Sequence, residues 1–378
     1  MKKKALALAI ILTASAADAA TVYDKDDTSL NIGGRVQSVF YNTGAAKANE
    51  LNKGNDNTLV NSARFSLEGR SKINSNVSAF AFSEWDMANG TDENLKTREQ
   101  FVGLDFNSYG KLMAGKTYSA MKSVIEVTDI FEDFGCAGQF GEDEFRSGTI
   151  RYVFENDSFF ASVSTSLASD NELVEGASYN DADKEDKVNI KGGFAASVGY
   201  TFNDVLFGPL SFKAGYEYIK VQNKGVDNYK YGIHDISAPA LKNVKDIAAS
   251  VKWGSDDGFS VGALYNTRKF TLTRSFVNDC NNAFGDDVAF SYRLNGYEIV
   301  TAYGFENGIT IAAGYEFMEV KGDHKGNSEI FRRIPVYVNY DLNENFNLWT
   351  EAQFNAGDEH KSSELNKSLL SVGARYTF

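Results

Sequence analysis

The chain has 378 residues, with 38 basic against 51 acidic side chains, a net charge of −13, 33 glycines, 19 tyrosines, 28 phenylalanines and only three prolines. That acidic balance excludes a nucleic-acid binder, which needs a basic footprint. Abundant Gly, Tyr and Phe with little Pro describe many paired strands joined by tight turns, and with no linker or composition break a single large barrel accounts for the length without a second core.

The chain opens on Lys2, Lys3 and Lys4, an apolar stretch over 5–16 and the small-x-small triplet Ala17, Asp18, Ala19. This is the pattern of a secretory signal over residues 1–19, with a mature chain from Ala20. The apolar stretch is shorter than the roughly 20 residues a bilayer span requires. No later stretch is long and apolar enough for a transmembrane helix. Three lysines and Asp18 leave with the signal, so 35 basic face 50 acidic side chains, a balance of −15 that suits a surface or pore tolerant of cations. The destination is the periplasm, the outer membrane or the exterior.

From there on the dominant signal has period two. Leu30, Ile32, Val36 and Phe40 alternate with Asn31, Arg35 and Gln37; Phe194, Ala196, Val198, Tyr200 and Phe202 with Gly193, Ala195, Ser197, Gly199 and Thr201; Ile309, Ile311, Ala313, Tyr315 and Phe317 with Thr310, Ala312, Gly314 and Glu316. Successive strand side chains point to opposite faces. Ten-residue segments with one apolar and one polar face match a membrane barrel, greasy outside and wet inside. A soluble antiparallel sandwich also alternates, but here aromatic residues crowd the ends of the apolar faces as interface girdles do. The connections also alternate in length. Short turns fall at 73–76, 107–110, 155–157, 202–207, 254–258, 306–308 and 343–345. Long loops fall at 43–59, 88–96, 117–146, 168–188, 222–243, 269–292, 321–328 and 357–366. These predict an all-β fold, a 16-stranded antiparallel transmembrane β-barrel. Segments 79–87 and 97–106 alternate poorly and are expected to face a neighbouring subunit. Pro335, inside a predicted strand, removes a ladder donor, and a bulge is expected there. The last strand ends Arg375, Tyr376, Thr377, Phe378, and its terminal aromatic resembles the signal read by the barrel assembly machinery.

Signatures of enzymes are missing: no Gly-rich phosphate loop, HExxH or GxSxG. His234, His324 and His360 all fall in predicted external loops and read as solvated. Neither a metal nor a cofactor is implied.

The loop 117–146 is the most informative stretch. Its TDIFEDFG, followed by an arginine and SGTIRYVFEND, resembles the third loop of the general porins of enterobacterial and Vibrio type. The resemblance runs over the whole mature chain, through ATVYDKD, NSARFSLEGRSKIN, TREQFVGLDFNSYGKLMAGKTY, LNGYEIVTAYGFENGITIAAGYEF, VYVNYDLNENF and the GARYTF end. It implies a homotrimer in the outer membrane of a Gram-negative bacterium, in contact with the lipid bilayer and lipopolysaccharide, that passes small polar solutes by passive diffusion. It also implies an inward-folded third loop whose acids face basic residues on the wall. By motif Asp129 and Asp133 match the loop carboxylates. Arg64, Arg98 and Arg146 match the wall arginines, and Arg35 a first-strand position usually held by lysine. Periodicity independently places Arg35 and Arg64 on the polar face. Glu84 is a further candidate wall carboxylate. Such a separation of charge sets up a field across the narrowest section that favours polar over apolar solutes; a weak cation preference is expected from the −15 balance.

Two departures stand out. Where the family loop reads Pro-Glu-Phe-Gly-Gly, this one reads Glu132, Asp133, Phe134, Gly135, Cys136, which puts the loop path in question and adds the charge of Glu132 to the pore. Cys136 and Cys280, unusual for the family, both lie in loops of an exported chain. A disulfide between them and two free thiols are both open. Two other functions also remain open on sequence grounds: a channel selective for sugars or phosphate, and a surface adhesin or receptor that works through its loops.

Overall fold

The structure is a computed structural model. It describes all residues except 1–18, 49–50, 52–55, 88–94, 178–185, 223–239, 256, 275–287, 323–325 and 358–367. Residues 1–18 of the expected signal, His234, His324, His360 and Cys280 therefore lie outside the described residues.

Eighteen strands run among the described residues: β1 Ala20–Lys25, β2 Thr28–Tyr41, β3 Thr58–Lys72, β4 Ser78–Met87, β5 Leu95–Asp105, β6 Lys111–Thr117, β7 Arg146–Glu155, β8 Phe159–Ser166, β9 Ser169–Leu173, β10 Lys187–Val205, β11 Gly208–Val221, β12 Ala240–Gly254, β13 Phe259–Arg274, β14 Val288–Gly304, β15 Ile309–Gly322, β16 Gly326–Asn343, β17 Phe346–Asn355 and β18 Leu369–Thr377. Helix α1, Thr43–Ala48, follows β2, and helix α2, Lys122–Ile125, lies between β6 and β7.

Pairing is antiparallel throughout, and β18 returns to β2, so the sheet closes on itself. Strands β8 and β9 both pair with β10 and form two halves of one stave. Strands β1 and β18 likewise share one edge of β2. Sixteen staves result, the number the turns and loops predict. Closure leaves no open sheet edge, the condition for crossing hydrocarbon with strands. The seam is closed by the C-terminus itself. The amide of Gly34 donates to the Phe378 carbonyl at 2.9 Å, and the Phe378 amide donates back to Gly34 at 2.9 Å. A Cβ on Gly34 would stand 2.9 Å from the Phe378 ring and 2.5 Å from the Arg64 carbonyl oxygen, so glycine is what lets the terminal ring settle there.

The period-two reading survives at the level of single side chains. Phe194, Val198, Tyr200 and Phe202 are exposed on one face of β10, while Ala195 and Ser197 are buried on the other. Aromatic residues form two outward bands. Near the short turns Phe207 stacks on Trp253 at 4.0 Å and meets Phe259 at 5.3 Å; towards the long loops Tyr265, Tyr297 and Phe317 pair at 5.1 and 5.6 Å. Phe194 and Phe202, eight residues apart on β10, are separated by ~26 Å along the strand, or ~20 Å of height at a tilt of about 40°, which fits inside an outer-membrane apolar band about 25 Å tall.

Two expectations change in detail, and the weak alternation of 79–87 and 97–106 finds a cause. Strands β13 and β14 continue to Arg274 and from Val288, so the connection expected at 269–292 is shorter. The bulge expected at Pro335 is absent. Register runs through it unchanged, with Ala313 opposite Val336 and Glu316 opposite Arg333, and the shift falls instead between Met318 and Glu319. Gly314 faces Pro335 and leaves the ring room, since a Cβ there would stand 3.1 Å from the proline Cγ. In 79–87 and 97–106 the large residues have moved to the polar face: Phe80, Phe82 and Phe101 are buried together with Met113, Val153 and Phe160. Ala79, Ala81 and Ala114 then line a shallow apolar groove of about 710 Å³ on the other face, flanked by Leu30, Val102 and Leu112.

Candidate functional site

The polar faces of the staves carry the charges, and a set of them is engaged by residues 118–145, the connection between β6 and β7. On its outgoing leg the Ala120 amide donates to Ser164 Oγ of β8 at 2.9 Å, and Ser197 Oγ of β10 donates to the Ala120 carbonyl at 2.6 Å. Helix α2 then buries Met121, Val124 and Ile125 against Ala195, Ala248 and Leu264 of β10, β12 and β13. Small residues make this approach possible. A Cβ on Gly215 would lie 2.7 Å from the Met121 sulfur, and one on Gly296 would lie 1.7 Å from the Gly138 carbonyl oxygen.

The tip of the loop is held by its own backbone. Glu351 on β17 accepts the amides of Glu132 at 2.8 Å, Asp133 at 3.0 Å and Phe134 at 2.6 Å. On the way back Glu316 of β15 accepts the Cys136 amide at 2.5 Å, Glu298 of β14 accepts the Gly138 amide at 2.7 Å and the Thr128 hydroxyl, and Asn266 of β13 accepts the Phe140 amide at 2.7 Å. Four strand side chains thus satisfy six loop amides. Each amide left unmade in such a buried setting costs about 1–3 kcal/mol.

A charged cluster holds the loop where it rejoins the wall. Arg146, 1% exposed, bonds Glu217 of β11 at 2.7 Å and also Glu144. Arg268 of β13 bonds Asp246 at 2.5 Å and also Glu144. Burial works to raise Glu144, but Arg268 and Arg146 hold its carboxyl below the usual range. The next connection is tied in too: the Glu175 amide donates to Glu144 at 2.8 Å, and the Glu175 carboxylate accepts the Gly141 amide at 2.6 Å.

Opposite this loop, β2, β3 and β5 present Arg35, Arg64 and Arg98. Arg35 and Arg64 are directly paired across the ladder. Arg64 Nε lies 2.7 Å from Asp86, and Arg98 lies 3.0 Å from Asp86 and 3.0 Å from Glu84, which is 3% exposed beneath them. A register shift between Ser83 and Trp85 turns Arg98 onto the polar face. There it reaches Asp143 at 3.4 Å and lies 4.4 Å over the Phe145 ring of the loop. Arg35 has no carboxylate within 4.0 Å among the described residues.

This arrangement is a charge-bearing strap across one arc of a closed β-barrel, facing a bare cationic wall on the other. Residues 5–378 match the Gram-negative porin family. The chain belongs to that family. It is similar to the outer membrane porin PhoE of Klebsiella oxytoca, 25% identical over 390 residues covering all of both chains. It is equally similar to the outer membrane porin protein OmpD of Salmonella typhimurium strain LT2, 25% over 400 residues, again covering all of both. Among solved structures it resembles Salmonella typhi OmpF in complex with daunomycin, with TM-score 0.70 and 18% identity over 95% of this chain and 100% of that one. The trimer form of in-vitro folded Vibrio cholerae OmpT matches with TM-score 0.61 and 16% identity, over 93% and 100%. The protein is a porin of the Gram-negative outer membrane; such relatives are channels and not enzymes.

Against this porin frame, the candidate residues separate. Arg35, Arg64, Arg98 and Glu84 come together on β2–β5. Asp129 is exposed on the loop, 3.8 Å from Lys122. Glu132 is paired end-on with the Arg375 guanidinium, at 2.8 Å through one nitrogen. Asp133 instead faces the wall, accepting from the Tyr41 hydroxyl at 2.7 Å, the Trp349 indole at 2.8 Å and the Ser371 hydroxyl at 2.5 Å. Arg146 is also withdrawn, because Glu144 and Glu217 hold its guanidinium out of reach of solvent. Cys136 is buried in a left-handed backbone conformation at φ 67°, its sulfur 3.4 Å from Asp129. Its expected partner Cys280 lies outside the described residues. Burial pushes Glu142 on the loop up to about 8, with Asp129 adding to the effect.

Sequence reasoning missed the row Glu298, Glu316 and Glu351 and the rung Arg375. Part of their signal was present: Glu351 and Arg375 are the only charges on β17 and β18, and Gly215 and Gly296 mark where a chain must come close.

Proposed function

We propose that this porin forms a water-filled channel for passive diffusion of small hydrophilic solutes and ions, with residues 118–145 folded inward to narrow it. The observation that carries this reading is the transverse separation of charge. Arg35 and Arg64 stand on the arc of wall that the loop leaves bare, with Arg98 at its edge beside Asp143, while Asp129 stands exposed on the loop. Low-dielectric walls focus such a field, and salt screens it only over roughly 8 Å at physiological strength. Water orders along it. A polar solute replaces those contacts and an apolar one does not.

The balance of −15 and the carboxylates Glu84 and Asp86 beside the wall arginines favour weak cation preference. Ion preference is not set by this architecture alone, since a porin from Comamonas acidovorans of similar fold, TM-score 0.57, is described as anion-selective. Three copies are proposed to meet at the apolar groove over β2–β6, where small side chains let another wall approach. The signal over 1–19 is proposed to be removed on export, and Phe378 with Tyr376 to be read by the assembly machinery at the edge that closes the barrel.

Planar-bilayer recording of the purified mature protein tests the whole. Conductance that closes in steps of three, with a reversal potential of cation-preferring sign in a salt gradient, is expected. An electrically silent membrane would overturn the reading, and a clear anion preference would overturn its selectivity.

A further inference from the structure

Below the tip of the loop, on the side of the short turns, the polar faces of β16, β17 and β18 enclose a recess of about 570 Å³. Its roof is the Glu132–Arg375 pair, and it runs down to the 343–345 turn at the rim. Its wall is a chain of hydrogen bonds. Asn347 Nδ2 donates to Asn339 Oδ1 at 2.8 Å, and Asn339 Nδ2 donates to Asp341 Oδ1 at 2.7 Å. That chain leaves the Asn347 carbonyl and the second Asp341 oxygen facing the recess as acceptors. The Tyr337 hydroxyl, on a residue only 7% exposed, lines the same recess and has no partner among the described residues.

We infer that this recess is a docking subsite for a neutral polyhydroxylated solute, a small saccharide or polyol, on its way through the channel. The chemistry selects that class. A hydroxyl both donates and accepts, and the recess offers both kinds of partner at fixed spacing, amide and carboxylate acceptors beside phenol and guanidinium donors. The two roof charges neutralise each other, and Asp341 with Glu344 repel anions. The subsite rests on the channel reading above and adds a substrate class to it.

The test uses the trimer in planar bilayers, with a neutral trisaccharide and a polyethylene glycol of matched hydrodynamic size, whose ether oxygens only accept. The trisaccharide interrupts the current in discrete events whose frequency saturates with concentration, with faster arrival from the short-turn side; the glycol gives none. N347A shortens the events about fivefold, the worth of one hydrogen bond. D341N, which keeps shape and the bond to Asn339 while replacing one acceptor, has a smaller effect of the same sign. Both residues are half-buried or exposed, and both variants keep native conductance. A conducting trimer that treats the two probes alike, or an N347A variant with unchanged event durations, would overturn the subsite alone. A silent membrane would overturn the channel reading with it.

Discussion

Two arcs of this barrel carry charged residues on the same polar face and use them in opposite ways. On the arc from β7 round to β17 the strand carboxylates Glu298, Glu316 and Glu351 accept the backbone amides of residues 132–138, and Arg146 and Arg268 bind Glu144. On the arc from β2 to β5, Arg64 and Arg98 share Glu84 and Asp86, Arg98 touches the loop only at Asp143, and Arg35 has no carboxylate within 4.0 Å among the described residues. The first arc is a mount, and the second is proposed to act as an electrode. A charge on the wall of such a barrel therefore does not by itself belong to the permeation path; what matters is whether the loop has already consumed it.

That contrast can be broken most forcefully at the mount. Replacing Glu298, Glu316 and Glu351 together by Ala strands five of the loop amides, at roughly 1–3 kcal/mol each. The expected result is a lower unfolding temperature in detergent and a higher size limit in liposome swelling with graded solutes. An unchanged size limit would mean that the loop does not set the passage.

The electrode is sharpened by charge removal. A unit charge ~10 Å from an ion in water is worth about 0.4 kcal/mol, roughly twofold in a permeability ratio. R35A, R64A and R98A should each raise the cation-to-anion ratio by about that factor, and D129N should lower it. R146A is the discriminating variant. It should leave the ratio alone while loosening the loop, because it leaves Glu217 buried without its cation and Glu144 with Arg268 alone, a loss of order 3–5 kcal/mol. Should R146A shift selectivity as R64A does, the division into two arcs fails.

The smallest effect concerns pH. Glu142 lies on the loop with its carboxyl pushed up to about 8 by burial. It is therefore mostly neutral at pH 7 and gains its negative charge as pH rises through 8. Cation preference should increase modestly between pH 7 and 9, and E142Q should flatten that rise. A slope that survives E142Q assigns the titration elsewhere.

The terminal strand shows both what a sequence reading reaches and where it stops. Alternation placed Arg375 on the polar set beside Ser371 and Thr377, yet nothing local distinguishes a rung that meets Glu132 from any other solvated arginine. That pairing joins residues 243 positions apart, and only the loop's path brings them together. The same holds for Asp133 and Arg146, whose motif matches are local and whose partners, Tyr41, Trp349 and Glu217, are remote.

By itself the sequence determined a closed sheet of sixteen staves, its two faces and the identity of the strap-like loop, because period two, turn residues and closure are properties of neighbouring residues. Tertiary structure alone decided which charges remain free. A buried carboxylate goes to whichever donor geometry brings within 3 Å, and that donor is set by where a long loop lies, not by what precedes or follows it in the chain.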